Sequence, residues 1–118
     1  DVVIGQSLFN SIGCAVCHIP SLNDVNGNFV PLYSNLLLHN VMPTSFHGVV
    51  QGQAASGFFR TPPLWGISKS APYFHDGRAE TILDAIMTHA GEATEVVTNF
   101  SALAPAHQQA LLTFLNDL

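Results

Sequence analysis

The chain has 118 residues, of which 9% are charged and 47% apolar, and a formal net charge of −5. Three basic residues, Arg60, Lys69 and Arg78, cannot make the positive stripe that nucleic-acid binding requires. No segment approaches the ~20 apolar residues that span a bilayer, so neither a nucleic-acid partner nor a membrane span is expected.

The length suits one small domain over residues 1–118, since domains commonly run to about 100–150 residues. Asp1-Val2-Val3-Ile4 lacks the charged and apolar regions of a signal peptide. The first predicted helix spans Val2 to Ser11, with Gly5, Leu8, Phe9 and Ile12 at i, i+3, i+4 and i+7. Gly5 on that face lets another helix approach closely, and Gly13 ends the helix.

Cys14-Ala15-Val16-Cys17-His18 follows, and it holds both cysteines of the chain. C-x-x-C-H is the pattern of c-type haem attachment. Two thiols three positions apart can each add across one vinyl group of the same porphyrin. The histidine after the second thiol then supplies an imidazole as proximal iron ligand. A thioredoxin-like pair would be expected beside a strand-helix unit, and no strand pattern precedes Cys14. A structural zinc site wants four N or S ligands, and there is no second cysteine pair. The expected cofactor is therefore one haem c, bound to Cys14 and Cys17. Attachment of this kind takes place outside the bacterial cytoplasm. A periplasmic or otherwise exported location is expected, with the numbering starting after a removed leader or inside a longer chain.

The interval from Ile19 to Pro72 contains every proline except Pro105. Its apolar residues, among them Leu22, Phe29, Leu32, Tyr33, Phe46, Phe58, Phe59, Leu64 and Trp65, make it too hydrophobic for a disordered segment. A long loop wrapped around a porphyrin would have something to bury against. Asp76-Gly77 reads as a turn before a helix from Glu80 to Ala90, with Glu80 and Asp84 favouring its N-terminal half. Ile82, Ala85, Ile86 and His89 share the apolar face of that helix. Gly91 is a stop signal, and Glu92 to Phe100 forms a further short helix. The last helix runs from Pro105 to Asn116 with His107, Ala110, Leu111, Phe114, Leu115 and Leu118 on one stripe. Crossing the first and last helices would bury Phe9 against Phe114 and Leu111. The expected fold class is all-α, a small cytochrome c-like helical domain with long haem-wrapping loops.

A six-coordinate haem needs a second ligand, and His39, Met42, His47, His75, His89, Met87 and His107 are available. Met42-Pro43 is similar to the Met-Pro step at which many small cytochromes c supply a thioether. His89 stands on the apolar side of its helix. His107 lies at a helix edge, and His39 ends an apolar run that can pack locally.

The stretches Phe59-Arg60-Thr61-Pro62-Pro63-Leu64-Trp65-Gly66-Ile67 and Ala71-Pro72-Tyr73-Phe74-His75-Asp76-Gly77-Arg78-Ala79-Glu80-Thr81-Ile82 resemble the bacterial di-haem cytochrome c peroxidase superfamily. Tyr33 to Asn40 and His89-Ala90-Gly91-Glu92-Ala93 resemble its di-haem thiol oxidoreductase-like branch. The resemblance covers nearly the whole chain and corresponds to the C-terminal haem domain. It implies that the far ligand lies fourteen residues after the histidine of the His-Asp-Gly turn, which is His89, with Met42 as the alternative. It also implies a shell in which Arg60 pairs a haem propionate, Phe59, Trp65, Tyr73 and Phe74 pack on the haem, and His75 supports the pocket. Arg78 is a second propionate partner or simply solvated.

Family members carry two C-x-x-C-H motifs and this chain carries one. With both axial positions filled, no open site is left for a substrate. The leading expectation is a non-catalytic monohaem cytochrome that transfers electrons to a redox protein with a basic docking patch, free or as part of a larger assembly. The alternatives are the haem domain of a peroxidase-like or thiol-oxidising enzyme whose other haem is on a separate chain, and a gas-responsive haem sensor.

Overall fold

The computed structural model describes residues 1–43 and 48–118. His47 and Phe46 lie outside them. Four α-helices are present among the described residues: α1 (Val2–Ser11), α2 (Ile82–Thr88), α3 (Thr94–Ser101) and α4 (Pro105–Asp117). None is long and apolar enough to cross a membrane.

Helices α1 and α4 form the frame. Gly5 is buried where they cross, and a Cβ there would run into the Ala110 carbonyl and the Phe114 side chain. The absent side chain is what permits the approach. Phe9 and Phe114 meet edge-on with ring centroids 5.5 Å apart, and Tyr33 joins each of them at 5.9 Å. Rings arranged this way add about 0.5–1.5 kcal/mol per pair beyond their burial. Ile12, Leu64, Ile82, Phe100, Leu111 and Leu115 complete the core.

The chain is not strictly all-α. Leu22–Asn23 (β1) pairs antiparallel with Phe29–Val30 (β2), and Leu38–His39 (β3) with Phe59–Arg60 (β4). The first ribbon turns on Asp24, whose carboxylate accepts from the Asn26 and Asn28 N–H groups and from Asn28 Nδ2. Gly27 in the five-residue connection Asp24 to Asn28 is the hairpin signal that marks this turn in the sequence. The second ribbon joins residues about twenty apart and leaves no such signal.

Helix α2 is shorter than its apolar spacing suggests. Thr81 caps it through a reciprocal pair with Asp84. At the other end His89 is already outside the helix, with φ −58° and ψ 134°. The chain leaves because Ala90 N–H is claimed by the Val41 carbonyl at 2.8 Å. The segment expected as one helix from Glu92 is a single 3₁₀ turn (Gly91–Ala93) followed by α3.

Candidate haem site

The cysteine motif sits on a 3₁₀ turn, Cys14–Val16, entered through Gly13 at φ +109°. That left-handed conformation is open to glycine at no steric cost, and it swings the chain sharply off the end of α1. Cys17 closes the turn by donating its N–H to the Cys14 carbonyl. Residues 33–35 then fold over the motif, with Asn35 N–H donating to Cys17 O at 2.8 Å.

His18 Nδ1 lies 3.0 Å from the Tyr33 carbonyl oxygen. A carbonyl only accepts, so the proton is on Nδ1 and Nε2 carries the lone pair. His89 repeats the arrangement at the end of α2, with Nδ1 donating to Ala85 O at 2.6 Å. Burial pushes the His18 imidazolium down to about 4 and moves His89 the same way. Both rings are therefore neutral near pH 7, and each points its proton at backbone. The two are also electrostatic neighbours, since a charge on His89 further disfavours one on His18. A backbone-bound Nδ1 that fixes tautomer and ring orientation is the usual second partner of a metal-ligating histidine.

The thiols show the opposite of activation. Burial raises Cys14 to about 11, and Cys17 is raised by burial and by the nearby Glu92 carboxylate. A redox-active pair needs a thiolate stabilised below its ordinary range, so the geometry weighs against dithiol chemistry. Two thiols on one turn, followed by two neutral imidazoles with matched tautomers, fit a haem.

The other candidate ligands separate clearly. Asn35 Oδ1 accepts from Leu37 N–H, which orients the amide so that its Nδ2 donates to His39 Nε2 at 3.0 Å. The Nδ1 of His39 faces Glu92 Oε1 at 3.3 Å. Both nitrogens of His39 are thus committed to protein, and it is structural. His107 and Met87 are exposed. Met42 is 4% exposed and directly follows the stretch 40–41 that is hydrogen-bonded to residues 90–92. It is thus on the His89 side of the molecule.

A cleft of about 550 Å³ collects Phe59, Arg60 and His75 with Leu38, Val49 and Phe58. Phe59 and His75 stack at 4.1 Å with planes 16° apart, and Phe74 packs on His89 at 5.3 Å. The β3–β4 pairing sets Phe59 opposite His39, which links this cleft to the histidine cluster. Tyr73 does not join it. Its hydroxyl donates to Ile67 O at 3.0 Å and its ring packs against the helical core. Trp65 is 53% exposed. Arg78 is held by Asp76 through Nε and Nη2 at 2.9 and 2.7 Å, which lowers the Asp76 carboxyl.

Two contributors, the Tyr33 carbonyl and Glu92, left little trace in the sequence. The Tyr33 carbonyl acts through backbone, from a residue at φ +52°, a conformation rare outside glycine that is often found at functional sites. Phe74 shares that backbone state at φ +65°. Glu92 accepts from the Asn40 N–H and faces His39, and both partners are more than fifty residues away in sequence.

The family model described as "Di-haem oxidoreductase, putative peroxidase" matches residues 1–118. The chain belongs to that family. It is accordingly a haem-binding redox domain. Two solved structures share the fold. Hydrazine synthase from Kuenenia stuttgartiensis superposes with a TM-score of 0.68 at 22% identity, and a MauG-like protein associated with microbial copper homeostasis with 0.63 at 24%. Each comparison covers 99% of this chain but 46% of the other, so the chain spans less than half the length of either protein. None of the curated proteins matches it by sequence.

Proposed function

We propose that this di-haem oxidoreductase family domain is a monohaem electron carrier of the thiol oxidoreductase-like branch. In this reading Cys14 and Cys17 hold one haem through thioethers and His18 and His89 close its two axial positions. The haem supplies a one-electron couple when bound. The observation that carries the reading is the matched pair of buried imidazoles, each with its Nδ1–H spent on a backbone carbonyl. Two such ligands leave no position for substrate, which favours electron transfer over catalysis. Arg60 would pair a propionate; its exposure on β4 beside the Phe59–His75 stack supports that role. A net charge of −5 favours a redox partner with a basic docking patch, steered by long-range attraction. Thioether attachment implies export to the periplasm or beyond the cytoplasmic membrane.

Intact mass tests the attachment: it should exceed the bare polypeptide by one haem. Carbon monoxide tests the ligation, because a closed iron leaves the ferrous absorption spectrum unchanged on mixing and converts only slowly, as the distal ligand dissociates. A bare mass, or immediate conversion by carbon monoxide, would contradict the reading.

A second reading follows from the family description and from coverage of less than half of each structural neighbour. Here the domain belongs to a di-haem enzyme whose other haem lies elsewhere. Peroxide turnover by this domain, appearing only with a second haem domain, would favour it.

A further inference from the structure

His89 lies past the end of its helix, and α2 alone does not hold it there. Its backbone has left the helical conformation, so its position depends on the Ala85 carbonyl and on whatever ties down the residues that follow. Those residues are bound to the end of β3. Ala90 N–H donates to Val41 O at 2.8 Å and Glu92 N–H to Asn40 O at 2.9 Å. The Glu92 carboxylate then reaches back: Oε2 accepts from the Asn40 N–H and Oε1 faces His39 Nδ1. Because Asn35 donates to His39 Nε2, the His39 proton is on Nδ1 and is given to Glu92. Gly91, at φ +55° with its missing Cβ directed at the Asn40 carbonyl, lets the two segments meet this closely.

We propose that Glu92 is a latch, a positioning residue that keeps His89 on the distal side of the haem and so keeps the sixth coordination position closed. The inference rests on the bis-histidine reading above. The carboxylate engages two successive residues at once, His39 at the end of β3 through Oε1 and Asn40 just after it through Oε2. It also lies close enough to Cys17 to influence its thiol, so the latch stands at the haem attachment site. Met42 follows Asn40 by two residues. A released His89 therefore opens the position either to an added ligand or to that thioether.

The test is stopped-flow binding of carbon monoxide to the ferrous holoprotein, with the ferric absorption spectrum recorded for each variant. Glu92→Ala should bind about tenfold faster or more, the shift expected from losing a charge-assisted hydrogen bond, or should show the weak far-red sulfur-to-iron band of Met42 capture. Glu92→Gln keeps an oxygen for the Asn40 N–H but loses the charge, and should be intermediate. Glu95→Ala, an exposed carboxylate on α3, should match the parent. Parental rates and spectrum in a folded Glu92→Ala overturn the latch. If the alanine variant does not fold, parental behaviour of Glu92→Gln overturns it. Failure of the underlying reading is distinguishable, because His89→Ala would then leave the low-spin ferric spectrum unchanged.

Discussion

Helices α1 and α4 hold together through side chains, whereas the described part of the segment from Ile19 to Pro72, beyond Tyr33 and Leu64 in the core, is tied down by backbone carbonyls and small polar groups. In the frame, Phe9, Leu111, Phe114 and Leu115 are buried against one another. In the loop, Ser34 is fully buried, donating to Thr61 O at 2.7 Å and accepting from Leu36 N–H at 2.9 Å. Thr61 in turn donates to Leu37 O from both its N–H and its hydroxyl. The frame sets stability, and the loop sets where the Tyr33 carbonyl and the β3–β4 ribbon stand. Damage to the frame should lower stability with little effect on the haem spectrum of the folded protein. Damage to the loop should change both.

The contrast can be broken most forcefully at Phe114. Phe114→Ala removes two edge-on ring contacts and leaves a cavity between α1 and α4, at a cost of about 3–5 kcal/mol. Urea unfolding should show the loss, while the folded fraction keeps its ferric spectrum. Gly5→Ala should cost about 1–3 kcal/mol by overpacking the same crossing, measured in the same way. Ser34→Ala strips partners from the Thr61 carbonyl and the Leu36 N–H, at about 1–3 kcal/mol. Unlike the frame variants, it should also shift the ferric absorption or the reduction potential, because Ser34 lies between Tyr33 and Asn35. The smallest effect belongs to Thr81→Ala, about 1 kcal/mol for a lost helix cap, with no spectral change. A spectral change in Phe114→Ala, or its absence in Ser34→Ala, would remove the distinction.

The same division decides what could be read from the residues alone. Helix α1 runs over Val2–Ser11 as its apolar spacing predicts, and the Phe9–Phe114 contact follows from two stripes that must bury each other. His89 was legible as a residue on the apolar side of a helix, although its helix ends one residue earlier than the stripe implies. The loop was not legible in this way. Its contacts pass through the carbonyls of Tyr33, Leu37 and Asn40, and every residue type carries a carbonyl. The Glu92 tie joins positions more than fifty residues apart, and a single sequence holds no periodicity that reports such a pairing. The aromatics of the middle region take their expected place on the haem from the family resemblance alone, since any buried aromatic reads the same way. The structure sends Tyr73 to the core, Phe59 to a stack on His75 and Trp65 to the surface.

Whether His89 or Met42 closes the distal face is decided most directly by the ferric spectra of two holoprotein variants. With His89 as ligand, His89→Ala loses the bis-histidine spectrum, turning high-spin or gaining the far-red band of Met42 capture, and Met42→Ala keeps the parental spectrum. The reverse pattern, with Met42→Ala becoming high-spin and His89→Ala unaltered, would contradict the account.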